Sequence, residues 1–308
     1  MPKNQETIAE FGEYSTNLMD DTTVLARISK SYDVLNDISI DAKLVNRKIG
    51  EHPLAKSHLE YIGEKDLFLF DRGYPSYDLF KEILSKNGHF CARLTIATWN
   101  VAKELVESGK QETTALIIPG HGLRKKYKNL NIIAAPIKCR FILVELSTGE
   151  KEVLITSLLD EQKYPHNIFK ELYHLRWAVE ESYKKDKLVL QFENFSGYSL
   201  IAIQQDFFAT ILLGNITAIL ASGLDDQINQ TGRNRKYKYQ LNTTTALSKV
   251  KDSMAILFKK SNIYDIINKI INAFRSSILP IRPNRRFFRK QRKTYRAYKS
   301  YYKTYMTL

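Results

Sequence analysis

The stretch YHLRWAVEESYKKDK, residues 173–187, carries an aromatic ring, a guanidinium, a carboxylate and an ammonium at Tyr173, Arg176, Glu180 and Lys187. In an α-helix each residue turns by about 100°, so these four fall within a stripe roughly 60° wide. The stripe has two readings. In one it is a solvated face: Arg176 and Glu180 form a surface ion pair worth a few tenths of a kcal/mol, and Tyr173 and Trp177 pack. In the other a second carboxylate comes beside Glu180, and the pair holds a divalent cation. Mg²⁺ takes one or two carboxylates and keeps its remaining positions for water and substrate phosphates. Two such ions about 3.5–4 Å apart can activate a nucleophile and stabilise the leaving oxygen of a phosphodiester. Arg176 and Lys187 would then hold backbone phosphates, and Tyr173 would pack on sugar or bond a phosphate.

Asp71 is the candidate for the second carboxylate. It follows the apolar run "LFLF" (67–70), which suits a strand buried on both faces. Gly73 and Pro75 mark a turn after it, and Ser76 can cap a helix running to about Ser85, with Asn87-Gly88 as its stop. An acid at the carboxyl end of a buried strand is a common location for chemistry in α/β folds.

The elements that must position these residues follow from pattern. Residues 22–45 mix β-branched residues around the turn-like "LND" and predict two antiparallel strands. "EHPLAKSHLEYI" predicts a helix with Pro53 in its first turn. From His89 to about Leu159 the pattern is strand-rich: "FCARLTI", "TTALIIP", "NIIAAPI", "KCRFILVEL" and "EVLITSLL", with a helix at "TWNVAKELVESG". After Pro165 a single helix is expected to run to about Lys187. Residues 198–223 and 243–278 read as further helices. "FFATILLGNITAILASG" (207–223) contains Asn215 and follows Gln204, Gln205 and Asp206, which favours a buried core helix over a membrane span. "PGHGLRKKYK" (119–128) and "QTGRNRKYKYQ" (230–240) read as basic loops, and the first could touch phosphate. Trp99 reads as a core residue before a base-stacking one. None of the six histidines has a ligand-like setting.

The 308 residues carry a formal net charge of +14 and are 44% hydrophobic. That describes a folded globule with a polyanionic partner, nucleic acid before an anionic membrane. Much of the excess lies in the tail from Arg282, which has ten Lys or Arg, no acid, and interleaved Tyr and Phe. Arg285, Arg286, Arg289, Lys290, Arg292 and Lys293 are its candidate DNA contacts, with a solvated terminus as the plainer reading. Cys91 and Cys139 are too few for a disulfide scaffold, and "MPKNQETIAE" has no apolar signal core, so a reducing cytoplasm is expected.

Tyr173-x2-Arg176-x3-Glu180-x6-Lys187 resembles the Y-R-E-K signature of DDE transposases of the insertion-sequence-four family. "LFDRGYPS" resembles the same family's second-aspartate motif, and "VLARISKSYDVLNDISIDAKL" the strands between its first and second acids. The likeness runs from about residue 6 to 225. It implies an α/β fold with a ribonuclease-H-like core, a β-rich insertion between the second and third catalytic acids, and a helical C-terminal region. The implied divisions are residues 1–88 (first part of the core), 89–160 (insertion), 161–225 (catalytic and packing helices) and 226–308 (helical region with the basic tail). It also implies that Asp71 and Glu180 are the second and third catalytic acids and the metal ligands, with two Mg²⁺ (or Mn²⁺) ions as cofactors. The reaction would be DNA strand cleavage and transfer at insertion-sequence ends. The partner would be double-stranded DNA, with a homodimer on paired ends and no membrane.

The family's first aspartate, in a "DG(S/T)" motif before a stretch resembling "MPKNQETIAEFG", has no match here. Asp20, Asp21, Asp33, Asp37 and Asp41 do not occupy its place. This chain is therefore expected to be a truncated and inactive copy. Its rivals are a DNA-binding protein that never cuts, a general nuclease of the same fold, and a basic RNA-binding or structural protein. Mere charge needs no fixed register, which counts against the last.

Overall fold

The computed structural model describes residues 1–15, 22–146, 148–188, 194–231, 235–257 and 262–282. In chain order the elements begin with α1 (Gln5–Phe11), β1 (Glu13–Ser15), β2 (Thr22–Val24), β3 (Ala26–Asp33) and β4 (Ile38–Asn46). Next come α2 (Glu51–His58), β5 (Leu67–Phe70), α3 (Tyr77–Ser85), β6 (His89–Arg93), α4 (Asn100–Ser108), β7 (Glu112–Ile117) and α5 (His121–Asn129). The strands β8 (Ile137–Glu145) and β9 (Lys151–Thr156) precede α6 (Phe169–His174) and α7 (Trp177–Leu188). The chain continues through α8 (Leu200–Ala221), α9 (Leu224–Thr231), β10 (Tyr239–Leu241), α10 (Thr243–Leu257), α11 (Ile263–Ser276) and β11 (Ile278–Pro280). These elements form two compact units. One holds residues 48–179; the other holds 1–47 together with 180–308.

The unit of residues 48–179 is built on a mixed five-stranded sheet in the order β5-β6-β9-β8-β7. β5 and β6 run parallel, joined through α3, and the remaining pairs are antiparallel. Both faces of the sheet are apolar because both are covered. On one face Cys139, Phe141, Val153 and Ile155 pack with Leu79, Phe80 and Ile83 of α3 and with Ala102 and Leu105 of α4. On the other face Cys91, Ile142, Val144 and Leu154 pack with Phe169 and Tyr173 of α6.

Local chemistry explains the element ends. Ser76 caps α3 through a hydrogen bond that Leu79 N donates to its Oγ at 3.3 Å. The stop after α3 is Asn87 in a left-handed conformation (φ 60°) followed by Gly88, where a Cβ would meet Ile62 Cδ1 at 2.3 Å. Any side chain there would require Ile62 to shift. Both thiols are buried and free, and burial pushes each up to about 12, so neither is a nucleophile near neutral pH.

Several expectations need correction. Residues 131–136 of "NIIAAPI" form no strand, and the ladder begins at Ile137. Side chains satisfy that backbone instead: Tyr77 Oη donates to Ala135 O at 2.5 Å and Lys81 Nζ donates to Ile133 O. The supposed basic loop at 119–128 is mostly helix, α5, anchored by Leu123 and the buried Tyr127 one turn apart. The single helix expected after Pro165 is interrupted at Leu175–Arg176. There Leu175, Arg176, Ala178 and Val179 each donate to the carbonyl three residues back, at 3.0–3.3 Å. Such tightened turns advance about 120° per residue, so the segment after Pro165 is not one uninterrupted α-helix.

In the other unit β3 and β4 form a hairpin with an irregularity at Ser31/Tyr32. α8 packs on it through Phe207 and Ile211, against Ala42, Ile28 and Leu44. Asn215, the polar residue in the apolar helix, accepts from Ser39 N at 2.8 Å and donates to Ser39 O at 2.9 Å, so its amide docks the hairpin. The run Leu200–Gln230 is long and apolar enough to cross a membrane by length and composition, and 28% of its most apolar window is buried. Ile203, Phe207 and Leu213 are buried while Ile201, Phe208, Leu212 and Ile219 are exposed, so α8 is a core helix along only part of its circumference. Leu213 also joins Ile228, Leu247, Val250, Ile270 and Phe274 in a cluster that ties α8 to α9, α10 and α11. Part of the basic stretch 230–240 is strand β10, paired with β11.

Candidate active site

Asp71 lies immediately beyond the carboxyl end of β5. The parallel register sets Phe70 opposite Ala92, which brings Asp71 beside Arg93 at the end of β6. Arg93 donates from Nε and Nη2 to Asp71 Oδ1, at 3.1 and 2.7 Å. The backbone N–H of Arg72 donates to the same oxygen at 2.7 Å. All three bonds converge on Oδ1, and Oδ2 takes part in none of them. Oδ2 is thus the oxygen through which Asp71 can take a further ligand. Arg93 also donates from Nη1 to Glu152 Oε1 of β9 at 2.5 Å, so one guanidinium serves two carboxylates.

Partial burial pushes the Asp71 carboxyl upward, but the Arg72 N–H and the charges of Arg93 and Arg176 outweigh it. The net result is a carboxyl held below its ordinary value, and hence ionised at neutral pH.

Tyr173 and Arg176 support this corner. Tyr173 is buried, and its hydroxyl donates to Phe70 O, one residue before Asp71, at 3.2 Å. Burial first, and then the nearby carboxylates, push its phenol far above the usual range, so it stays protonated and remains a donor. Arg176 is buried too, its guanidinium carbon 5.6 Å from the ring centroids of both Tyr173 and Trp177. In this arrangement Tyr173 holds the strand end and Arg176 lends it charge.

Glu180 and Lys187 lie on α7 in the other unit, Glu180 half-buried and Lys187 exposed. The candidate tail contacts, Arg285, Arg286, Arg289, Lys290, Arg292 and Lys293, lie outside the described residues. Trp99 is half-buried against the core, the packing role it was given. Arg93 and Glu152 were missed by the sequence reading, because strand register alone brings Arg93 beside Asp71 and Glu152 beside Arg93. The signal available was an arginine at the end of the next predicted strand.

A hydrated divalent cation needs few protein ligands. Ionised Asp71 with Oδ2 open fits one of them. Among the described residues no three His, Cys, Asp or Glu side chains converge as an all-protein cage.

The transposase DDE domain family model matches residues 31–216, more than half of the chain and a span that includes Asp71, Tyr173, Arg176, Glu180 and Lys187. The chain belongs to the transposase DDE domain family. Members of this family work with divalent metal ions. The chain is also similar to transposase InsG of insertion sequence element IS4 from Escherichia coli (strain K12), with 26% identity over 145 residues, or 47% of this chain. The match covers 32% of that relative, so it spans about a third of its length.

Proposed function

We propose that this chain has a ribonuclease-H-like core with a β-rich insertion between Asp71 and Glu180, and that it is built for metal-dependent DNA strand cleavage and transfer at insertion-sequence ends. Asp71 and Glu180 would be the metal ligands, and Arg176 and Lys187 would hold phosphates. The observation that carries the reading is Asp71 itself: an ionised carboxylate at a strand end, one oxygen tied by Arg93 and the other left for a ligand. A bound Mg²⁺ or Mn²⁺ pair would make the attacking water or 3′ hydroxyl more acidic and stabilise the leaving oxygen. The chain's own part is to hold carboxylates and cations in place. Arg93 orients Asp71, Tyr173 fixes the carbonyl before it, and Lys187 offers an exposed ammonium to the DNA backbone. Double-stranded DNA is the partner in this reading, with two copies on paired ends.

The net charge of +14 suits DNA binding with or without cutting, so a second reading is a chain that binds DNA and does not cut it. Nicking of DNA carrying insertion-sequence ends in Mg²⁺ or Mn²⁺ separates the two. Cutting that is lost in both Asp71→Asn and Glu180→Gln supports the first. Tight binding without cutting supports the second. Cutting at equal rate on DNA without such ends would point to a general nuclease.

A further inference from the structure

Lys30, on β3, has a side chain only 1% exposed. Its ammonium donates to Asp186 Oδ2 at 2.6 Å and to Ser182 Oγ. It also lies 4.7 Å from the ring centroid of Tyr183 and 5.2 Å from that of Tyr32. Ser182, Tyr183 and Asp186 are all on α7, and Asp186 is one turn from each of the other two. Tyr32 in turn donates to Asp37 Oδ1 at 3.1 Å, and Asp37 Oδ2 is 4.0 Å from Lys185 Nζ, a second and weaker tie between the hairpin and the same helix. All of these residues belong to one compact unit, as does Glu180.

A buried charge is retained at a cost, and a well-packed apolar pair is often as stable. What an apolar pair lacks is direction. A lysine whose donors are spent on two side chains of one helix face resists turning of that helix about its axis, whereas apolar contacts let it slip. The Ser182–Asp186 face lies about 120–160° around α7 from Glu180. A carboxylate about 5–6 Å from the helix axis moves by about 2 Å when the helix rolls by about 20°. A misplacement of about 1 Å can cost about 100-fold in rate.

We propose that the Lys30 ammonium fixes the rotation of α7 and so sets where the Glu180 carboxylate points. Lys30 is a positioning residue, and its link to catalysis rests on the reading of Glu180 given above.

The test pairs a double substitution with a distance. Lys30→Met/Asp186→Leu removes both charges and leaves no carboxylate stranded. Spin labels at I40C and K184C report α7 roll directly: both positions are exposed and in the same unit, and the native cysteines are buried. The expected result is a melting temperature close to the parent's with a label distance shifted or broadened by about 3 Å, the travel of a side-chain tip when a helix rolls by about 30°. In a cleaving parent, kcat falls about 100-fold while KM for DNA is unchanged, and Lys30→Arg retains most of both properties. An unchanged label distance overturns the proposal, as does unchanged kcat. If the parent cuts nothing, the cleavage reading fails for this chain, and the label distance alone still decides whether Lys30 sets α7.

Discussion

The paired use of Arg93 is the chemical centre of the residues 48–179 unit. Its guanidinium holds Asp71 on one side and Glu152 on the other, and against partial burial the Arg72 N–H, then Arg93 and Arg176, hold the Asp71 carboxyl below its ordinary value. The sign for stability follows from linkage. A carboxyl with a lowered folded pKa stabilises the fold above its unfolded value, about 3.9, and loses that contribution as pH falls through the folded value. Arg93→Gln should therefore raise the Asp71 titration, seen by carboxyl carbon NMR, and flatten the acid limb of the stability curve. An unmoved Asp71 titration would mean that the Arg72 N–H and Arg176 do the holding without Arg93. Asp71 was legible in the sequence because "LFLF" followed by Asp, Gly and Pro marks a strand end. Arg93, 22 positions on, was not. Only the parallel register of β5 with β6 makes the two neighbours.

At the scale of elements, α3 is what joins β5 to β6 and so sets that register. Phe80 is fully buried, and its ring stacks on Phe90 of β6 at 3.8 Å and 3°. Phe80→Ala should cost about 3–5 kcal/mol, read from urea or thermal unfolding, with Phe80→Leu costing less. A loss well below that range would mean that the α3–β6 contact can collapse around the gap. α3 was readable to its cap and stop because both depend on short-range chemistry at Ser76, Asn87 and Gly88. The break at Leu175–Arg176 was not readable. Its residues are good helix formers, and the tightening accompanies the packing of Tyr173 against the sheet and its bond to Phe70 O. α5 was misread for a related reason: its charges looked like a loop, while the two apolar residues that anchor it needed a surface the sequence does not display.

For the whole molecule, charge is the property that sequence alone supports best. Ten cations from Arg282 onward, without an acid, make the tail the strongest candidate for sequence-independent DNA contact. Each phosphate it neutralises should steepen the dependence of log affinity on log salt by about 0.9. Removing residues 283–308 should therefore lower that slope by about 0.9 per lost contact, alike on end-containing and unrelated DNA, as measured by anisotropy across a salt series. An unchanged slope would assign the affinity to the folded units, where Arg124, Lys125, Lys126 and Lys128 of α5 are the exposed alternative.

The sequence by itself determined the class of the protein. The fixed spacing of Tyr173, Arg176, Glu180 and Lys187, with Asp71 at a strand end, is a local pattern, and local patterns survive without knowledge of packing. The basic balance and the capped α3 were determined in the same way. The tertiary structure decided what each of those residues touches. Arg93 reaches Asp71 and Glu152 through strand pairing, Tyr173 turns inward to Phe70, and Lys30 reaches α7 from a strand about 150 residues away. These contacts join residues remote in the chain, and their partners are selected by sheet register and helix rotation, which depend on the whole core rather than on any one segment.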